Sequence, residues 1–213
     1  LSRMIYGGRI TIFVAASATL ISFLVGSILG FTAAVIGGWF DHTVSRVVDL
    51  IMAIPSLILA LVVLSVLPTT LPTLIIVMGL LDSTRVFRLS RSVAVDITVM
   101  DYVEAARLRG EGTKWIVFRE ILPNALSVLV AELGLRFIFA VLFISTLSFL
   151  GLGVQPPLAD WGGIVKQNKD GLVYGISAAL IPTIAIAVLA ISVNLVADWV
   201  LNRTSSLKGG RGA

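Results

Sequence analysis

Two stretches of the chain, Ile10–Phe40 and Leu50–Leu81, contain no Asp, Glu, Lys or Arg. Nothing else in the sequence limits the fold as much. One membrane span takes about 20 predominantly apolar residues, so each stretch is long enough to cross a bilayer. Asn124–Leu150 and Ala178–Leu201 are two more apolar blocks, interrupted only by Glu132, Arg136 and Asp198. Charged residues make up 13% of the 213-residue chain, about half the usual share in soluble domains. The backbone of a lipid-embedded chain must satisfy its own hydrogen bonds, and helices do so within one segment. The chain therefore reads as an all-α polytopic membrane protein.

Composition also removes several kinds of chemistry. There is no cysteine and only one histidine, His42, so neither a thiol centre nor a histidine-rich metal site is available. His42 lies just past the glycine and aromatic turn Gly37–Asp41, where an interfacial spectator is favoured over a proton relay. The sequence has no P-loop of the form G-x-x-x-x-G-K-[ST], so it offers no such route to ATP. No nucleophile–base pair is visible. No catalytic or cofactor-dependent chemistry is therefore expected of this chain, and energy for any work it does must come from a partner.

Leu50–Leu81 is too long for one span and short for two. Pro68 and Pro72 flank Thr69–Thr70 and mark a turn, so a hairpin forms if the second arm runs past Asp82 toward Arg88, with Pro55 kinking the first arm. A single span is the alternative. Charge bias does not separate the two, because both schemes place residues 101–124 and the C-terminal tail inside. The hairpin gives about five spans. Gly26 and Gly30 form a G-x-x-x-G spacing, with Ser22 one turn earlier, and permit close helix contact. Arg85, Arg88 and Arg91 recur every third residue near one helix face. Their position beside an apolar span assigns them to the cytoplasmic membrane edge and not to a nucleic-acid surface.

The one long polar segment with helical order is Asp101–Asn124, DYVEAARLRGEGTKWIVFREILPN. Asp101 is placed to cap a helix, with Glu104 three residues on as the reciprocal acid. Ala105 and Ala106 favour helix. Gly110 suits a left-handed stop. Thr113 offers a second cap before a short helix ending at Leu122, and Pro123 suits the start of, or a bend into, the next. An ordinary amphipathic surface helix would also carry Glu and Ala.

The set Glu104-Ala105-Ala106, Gly110 and Ile121-Leu122-Pro123 resembles the EAA loop of ABC-importer permeases, although Glu120 stands where that pattern has an apolar residue. LSRMIYGGR at residues 1–9 and SFLGLGVQPP followed by Trp161-Gly162 resemble the dipeptide/oligopeptide/nickel branch of that family. The resemblance implies a type I importer bundle in the bacterial inner membrane, with a permease domain over 1–203, a coupling loop over 101–124, an external loop over 151–175 and a cytoplasmic tail over 204–213. It places Leu1–Arg9 outside, after a first helix that this chain lacks, together with its true N-terminus. It also implies a heterodimer with a second permease, two cytoplasmic ATPase subunits, an external binding protein and surrounding lipid. Asp101, Glu104, Ala105, Ala106, Gly110, Leu122 and Pro123 are then the ATPase-coupling residues. ATP binding draws the coupling helices together and turns the pathway outward.

Glu132 and Arg136 stand four apart and pair along one helix face. Charges at membrane depth are costly, so these two and Asp198 are candidates for a pathway or gate, with a structural ion pair as the alternative. A secondary transporter or channel would use the same three residues as translocating groups, supported by internal repeats, and none is visible.

Overall fold

The computed structural model describes the backbone of residues 2–209 and the side chains of residues 2–197 and 199. Helix α1 spans Ser2–Ile36. Gly37 and Gly38, both at positive φ, turn the chain into α2, Gly38–Ala53. Helix α3, Ser56–Val66, leaves α2 at an angle of 87°. Pro55 stands at the corner, because its ring prevents the residue before it from continuing a helix. The expected kink is therefore a right-angle break. After a turn in which Thr70 N–H donates to Pro68 O at 2.8 Å, α4 runs over Leu71–Thr98. Helix α5 is Asp101–Leu108, and α6 is a single run of helix over Thr113–Leu150. Helix α7 is Trp161–Asn168, and α8 is Leu180–Gly209.

The hairpin follows from how α1 meets α4. A Cβ on Gly79 would meet Ala18 and Ile21; one on Gly26 would meet Ser83, Val86 and Phe87; one on Gly30 would meet Phe87, Ser90 and Arg91. Residue numbers rise together along the contact, so the two helices are parallel and the chain between them must cross back. The hairpin reading makes the crossing segments α1, the bent α2–α3 pair, α4, α6 and α8. Among the described residues, three helices are long and apolar enough to span by themselves, and the bent pair brings the number to four. Helix α4 has 28 residues, about 42 Å of helix. It carries Asp82, Arg85, Arg88, Arg91 and Asp96, and each of its three arginines faces an acid. The positive-inside rule puts its arginine-bearing end, with α5, in the cytoplasm.

Residues 2–9, expected outside, are the first turns of α1, which begins at Ser2. The helix is fastened there by the external loop. Trp161 Nε1 donates to Met4 O at 3.0 Å, and Trp161 N–H donates to Thr11 Oγ1 at 3.2 Å. A Cβ on Gly8 would lie 2.7 Å from the Trp161 ring, so the bare backbone makes room for the indole. Asp160 caps α7 by accepting from the N–H of Gly162 and of Gly163, each at 3.2 Å. Burial holds its carboxyl above the usual carboxylate range, against hydrogen bonds from Ser148 and these two N–H groups. Replacing Asp160 by Ala is expected to cost about 1–2 kcal/mol, read as a lower melting temperature of the purified protein. Asp160→Asn, which keeps one cap acceptor, should lose less.

The second short helix expected at 114–122 is the first part of α6, and α8 runs without a break across the expected 203/204 boundary to Gly209. Residues 210–213 of the expected tail lie outside the described residues.

Candidate coupling surface and intramembrane charge cluster

Helix α5 follows α4 at its arginine-bearing end. Thr98 ends α4, Val99 and Met100 make the corner, and Met100 takes the cap position without a side-chain cap. Asp101 is therefore inside the first turn and not at the cap. With Glu104 it still offsets the positive end of the helix dipole. The other end closes as expected. Gly110 has φ +83°, Gly110 N–H donates to Arg107 O at 2.9 Å, and Glu111 N–H donates to Ala106 O at 3.2 Å. This is a Schellman ending, which needs a left-handed residue where glycine stands. Gly112, not Thr113, occupies the cap position of the following helix.

One stripe of α5 is docked and the rest is free. Val103 and Ala106 are fully buried, and Val103 packs with Ile97, Ile116, Val117 and Ile121. Asp101, Glu104, Ala105, Arg107 and Arg109 are exposed, and Leu108 is 84% exposed. The two alanines therefore part company. Ala105 faces outward, whereas Ala106 lies against its own subunit and is not available to a second protein. Leu122 is half-buried beside the same core, and Pro123 is exposed. Pro123 lacks an N–H and its ring crowds the carbonyl four residues back. The preceding turn, Ile116–Ile121, widens into a π-helix, and Asn124 Nδ2 donates to Glu120 O at 2.7 Å.

Within the bundle, Arg136 meets Glu132 through Nη2 at 2.5 Å and Nε at 2.6 Å, as the four-residue spacing implies. It also faces Asp82 of α4 at 3.5 Å, and Asp82 faces Arg85 at 3.6 Å. The pair is thus part of a cluster that joins α4 to α6. Asp82 belongs to no motif, and its one sequence signal is an acid at the inner end of an uncharged run. The other arginines of α4 are also partnered. Arg88 lies 3.7 Å from Asp49, and Arg91 grips Asp41 with two hydrogen bonds, one of them at 2.5 Å. His42 is exposed beside that pair. Asp198 is on α8, but its side chain lies outside the described residues.

Asp82, Arg85 and Arg136 line a cavity of about 410 Å³ shared by α1, α3, α4 and α6. Its remaining walls include Thr19, Ser56, Met78, Phe139 and Phe143. Among the described residues no group of acids and histidines is gathered to hold a metal ion.

The chain is 37% identical over 200 residues to a Brucella suis protein whose description names a peptide transport system permease, covering 92% of this chain and 66% of that one. It is 32% identical over 198 residues to the di/tripeptide transport system permease protein DppC of Pseudomonas aeruginosa, covering 93% and 65%. The chain thus spans just under two thirds of the length of these relatives. In structure it resembles a chain of the inward-facing MetNI methionine ABC transporter, with a TM-score of 0.78, 18% identity, and 95% and 96% of the two chains covered. At that identity the likeness is one of fold, and the fold is that of an importer permease. Residues 12–206 match the family described as binding-protein-dependent transport system inner membrane component, and with that match this multi-pass inner-membrane chain belongs to the family.

Proposed function

We propose that this chain is a permease subunit of an ATP-driven peptide importer, that it forms half of a translocation pathway with a second, homologous permease, and that α5 is where the ATPase subunits push. The observation that carries this reading is the free face of α5: Ala105 and Leu108 are exposed on a helix fixed to its own subunit by Val103 and Ala106. A lever of this kind transmits force, because its inner stripe is rigidly packed and its outer stripe is open to a partner. Peptides are favoured as cargo because peptide transport is what the descriptions of the Brucella and Pseudomonas relatives name. An external binding protein would deliver them. The exposed Val173 and Tyr174, in the 3₁₀ turn Lys169–Tyr174 of the external loop, offer it a contact. Glu132 and Arg136, with Asp82, are the pathway or gate residues on this reading.

The test is assembly. Tagged chain, expressed with its neighbouring genes and purified from membranes, should bring down a second permease and two copies of an ATPase fold, and the complex should hydrolyse ATP faster when a peptide-loaded binding protein is added. Recovery of a chain that transports solute with no ATPase attached would reject the reading in favour of a secondary transporter or channel.

A further inference from the structure

We propose that the cavity between α1, α3, α4 and α6 is a subsite for a small zwitterion, the free ends of a short peptide in transit, with Asp82 taking the ammonium and Arg85 the carboxylate. The proposal rests on the peptide-importer reading above and adds the residues and chemistry of the site.

The inference comes from which charges are already satisfied. Arg136 is committed, because Glu132 holds it at 2.5 and 2.6 Å and its guanidinium also lies over the Phe139 ring at 5.8 Å. Asp82 is not. Its Oδ1 lies 3.5 Å from Arg136 and 3.6 Å from Arg85, beyond the span of a good charge-assisted hydrogen bond. Its Oδ2 is buried on the side of Ser22 and makes no hydrogen bond of ordinary length. Arg85 is 43% exposed, and its remaining contact is Ser56 Oγ at 3.4 Å. One carboxylate and one guanidinium, side by side on the cavity wall, thus keep unused bonding capacity.

The four charged groups Asp82, Glu132, Arg85 and Arg136 sum to zero. A lone cation or anion would satisfy one and leave net charge in a low-dielectric setting, whereas a zwitterion answers both and adds none. The volume of about 410 Å³ falls within the range of small-ligand pockets, roughly 300–1,000 Å³. Phe139, Phe143, Met78 and Leu81 line the rest, so peptide side chains would meet an apolar wall that does not choose among them.

The experiment uses the assembled transporter in lipid nanodiscs without binding protein, titrated with L-alanyl-L-alanine, its Nα-acetyl form and its C-terminal amide, with binding read from thermal shift. The expected result is saturable binding of the free dipeptide and at least tenfold weaker binding of each blocked form. Asp82→Asn should abolish the preference for a free ammonium, and Arg85→Gln the preference for a free carboxylate; a merely structural role for either residue would weaken all three ligands alike. Equal binding of blocked and free forms, absence of saturable binding, or preferences that survive both substitutions would overturn the proposal. Peptide-loaded binding protein is then added to the same wild-type preparation. Stimulated ATP hydrolysis alongside a failed titration removes the subsite alone, and no stimulation removes the importer reading itself.

Discussion

Replacing Gly26 by leucine is expected to lower the melting temperature of the purified transporter by about 6–12 °C, and replacing Gly26 and Gly30 together to leave almost no folded subunit in the membrane. A Cβ at Gly26 would lie 2.7 Å from Ser83 O and 2.9 Å from Phe87 N; at Gly30 it would lie 2.8 Å from Phe87 O and 2.9 Å from Arg91 N. These neighbours are backbone atoms of α4 and cannot swing aside. Relief requires the two helices to separate along a contact that continues to Gly79 and Ala18, with loss of close packing on both sides. Overpacking a tight core costs typically 1–3 kcal/mol and occasionally more, and the backbone clash places Gly26→Leu near about 3 kcal/mol. For a chain of this size each kcal/mol moves the melting temperature by about 2–4 °C. Gly112→Ala is the control. That residue has ordinary φ near −80° and nothing within 4 Å of an added Cβ, so the change should fall within about 0.5 kcal/mol. A Gly26→Leu subunit as stable as the control would mean that α1 and α4 do not meet as described.

The second large effect falls on transport and not on stability. Leu108→Asp is expected to cut peptide uptake at least tenfold while the subunit inserts and melts normally. The side chain is 84% exposed, so a charge there costs the isolated subunit little. On the proposed coupling face an aspartate would be buried without a partner when the ATPase docks, and burying an unpaired charge is strongly unfavourable. Gly110→Val should reduce uptake similarly by a different route. At φ +83° a β-branched residue is strained, the Schellman ending opens, and the lever loses its angle. Ala106→Trp is less informative, because Ala106 is buried in its own subunit and the change would damage packing before it reached a partner. Normal uptake by Leu108→Asp would take the free face of α5 out of the coupling path.

Much of this architecture was open to reading because membranes impose blunt rules. Runs without charge had to become spans, prolines at 55, 68 and 72 had to mark corners, and Gly110 after a short polar helix had to be its left-handed stop. What stayed hidden depended on rotation and register between helices. Nothing local says that Ala105 points out while Ala106 points in; that is settled by how Val103 seats against Ile116 and Ile121. Glu132 and Arg136 are visible as a pair because one helix sets their spacing. Asp82 joins them only once α4 and α6 are laid side by side, 50 residues apart in sequence. The same holds for Asp41 with Arg91 and Asp49 with Arg88, which pair only once α2 is laid against α4. Nor does anything local say why glycines stand at 7 and 8: Gly7 lies against Asp160 and Ile164, and Gly8 against the Trp161 ring, more than 150 residues on in the sequence.

The most direct test of the lever is chemical. The chain contains no cysteine, so Leu108→Cys introduces a single thiol at the exposed tip of α5. In inside-out membrane vesicles stripped of ATPase subunits, that thiol should react fully with a membrane-impermeant maleimide. Adding back the ATPase subunits should protect it, and a short bifunctional reagent should then link the two proteins. Labelling from the external side alone, or labelling that the ATPases leave unchanged, would contradict the account.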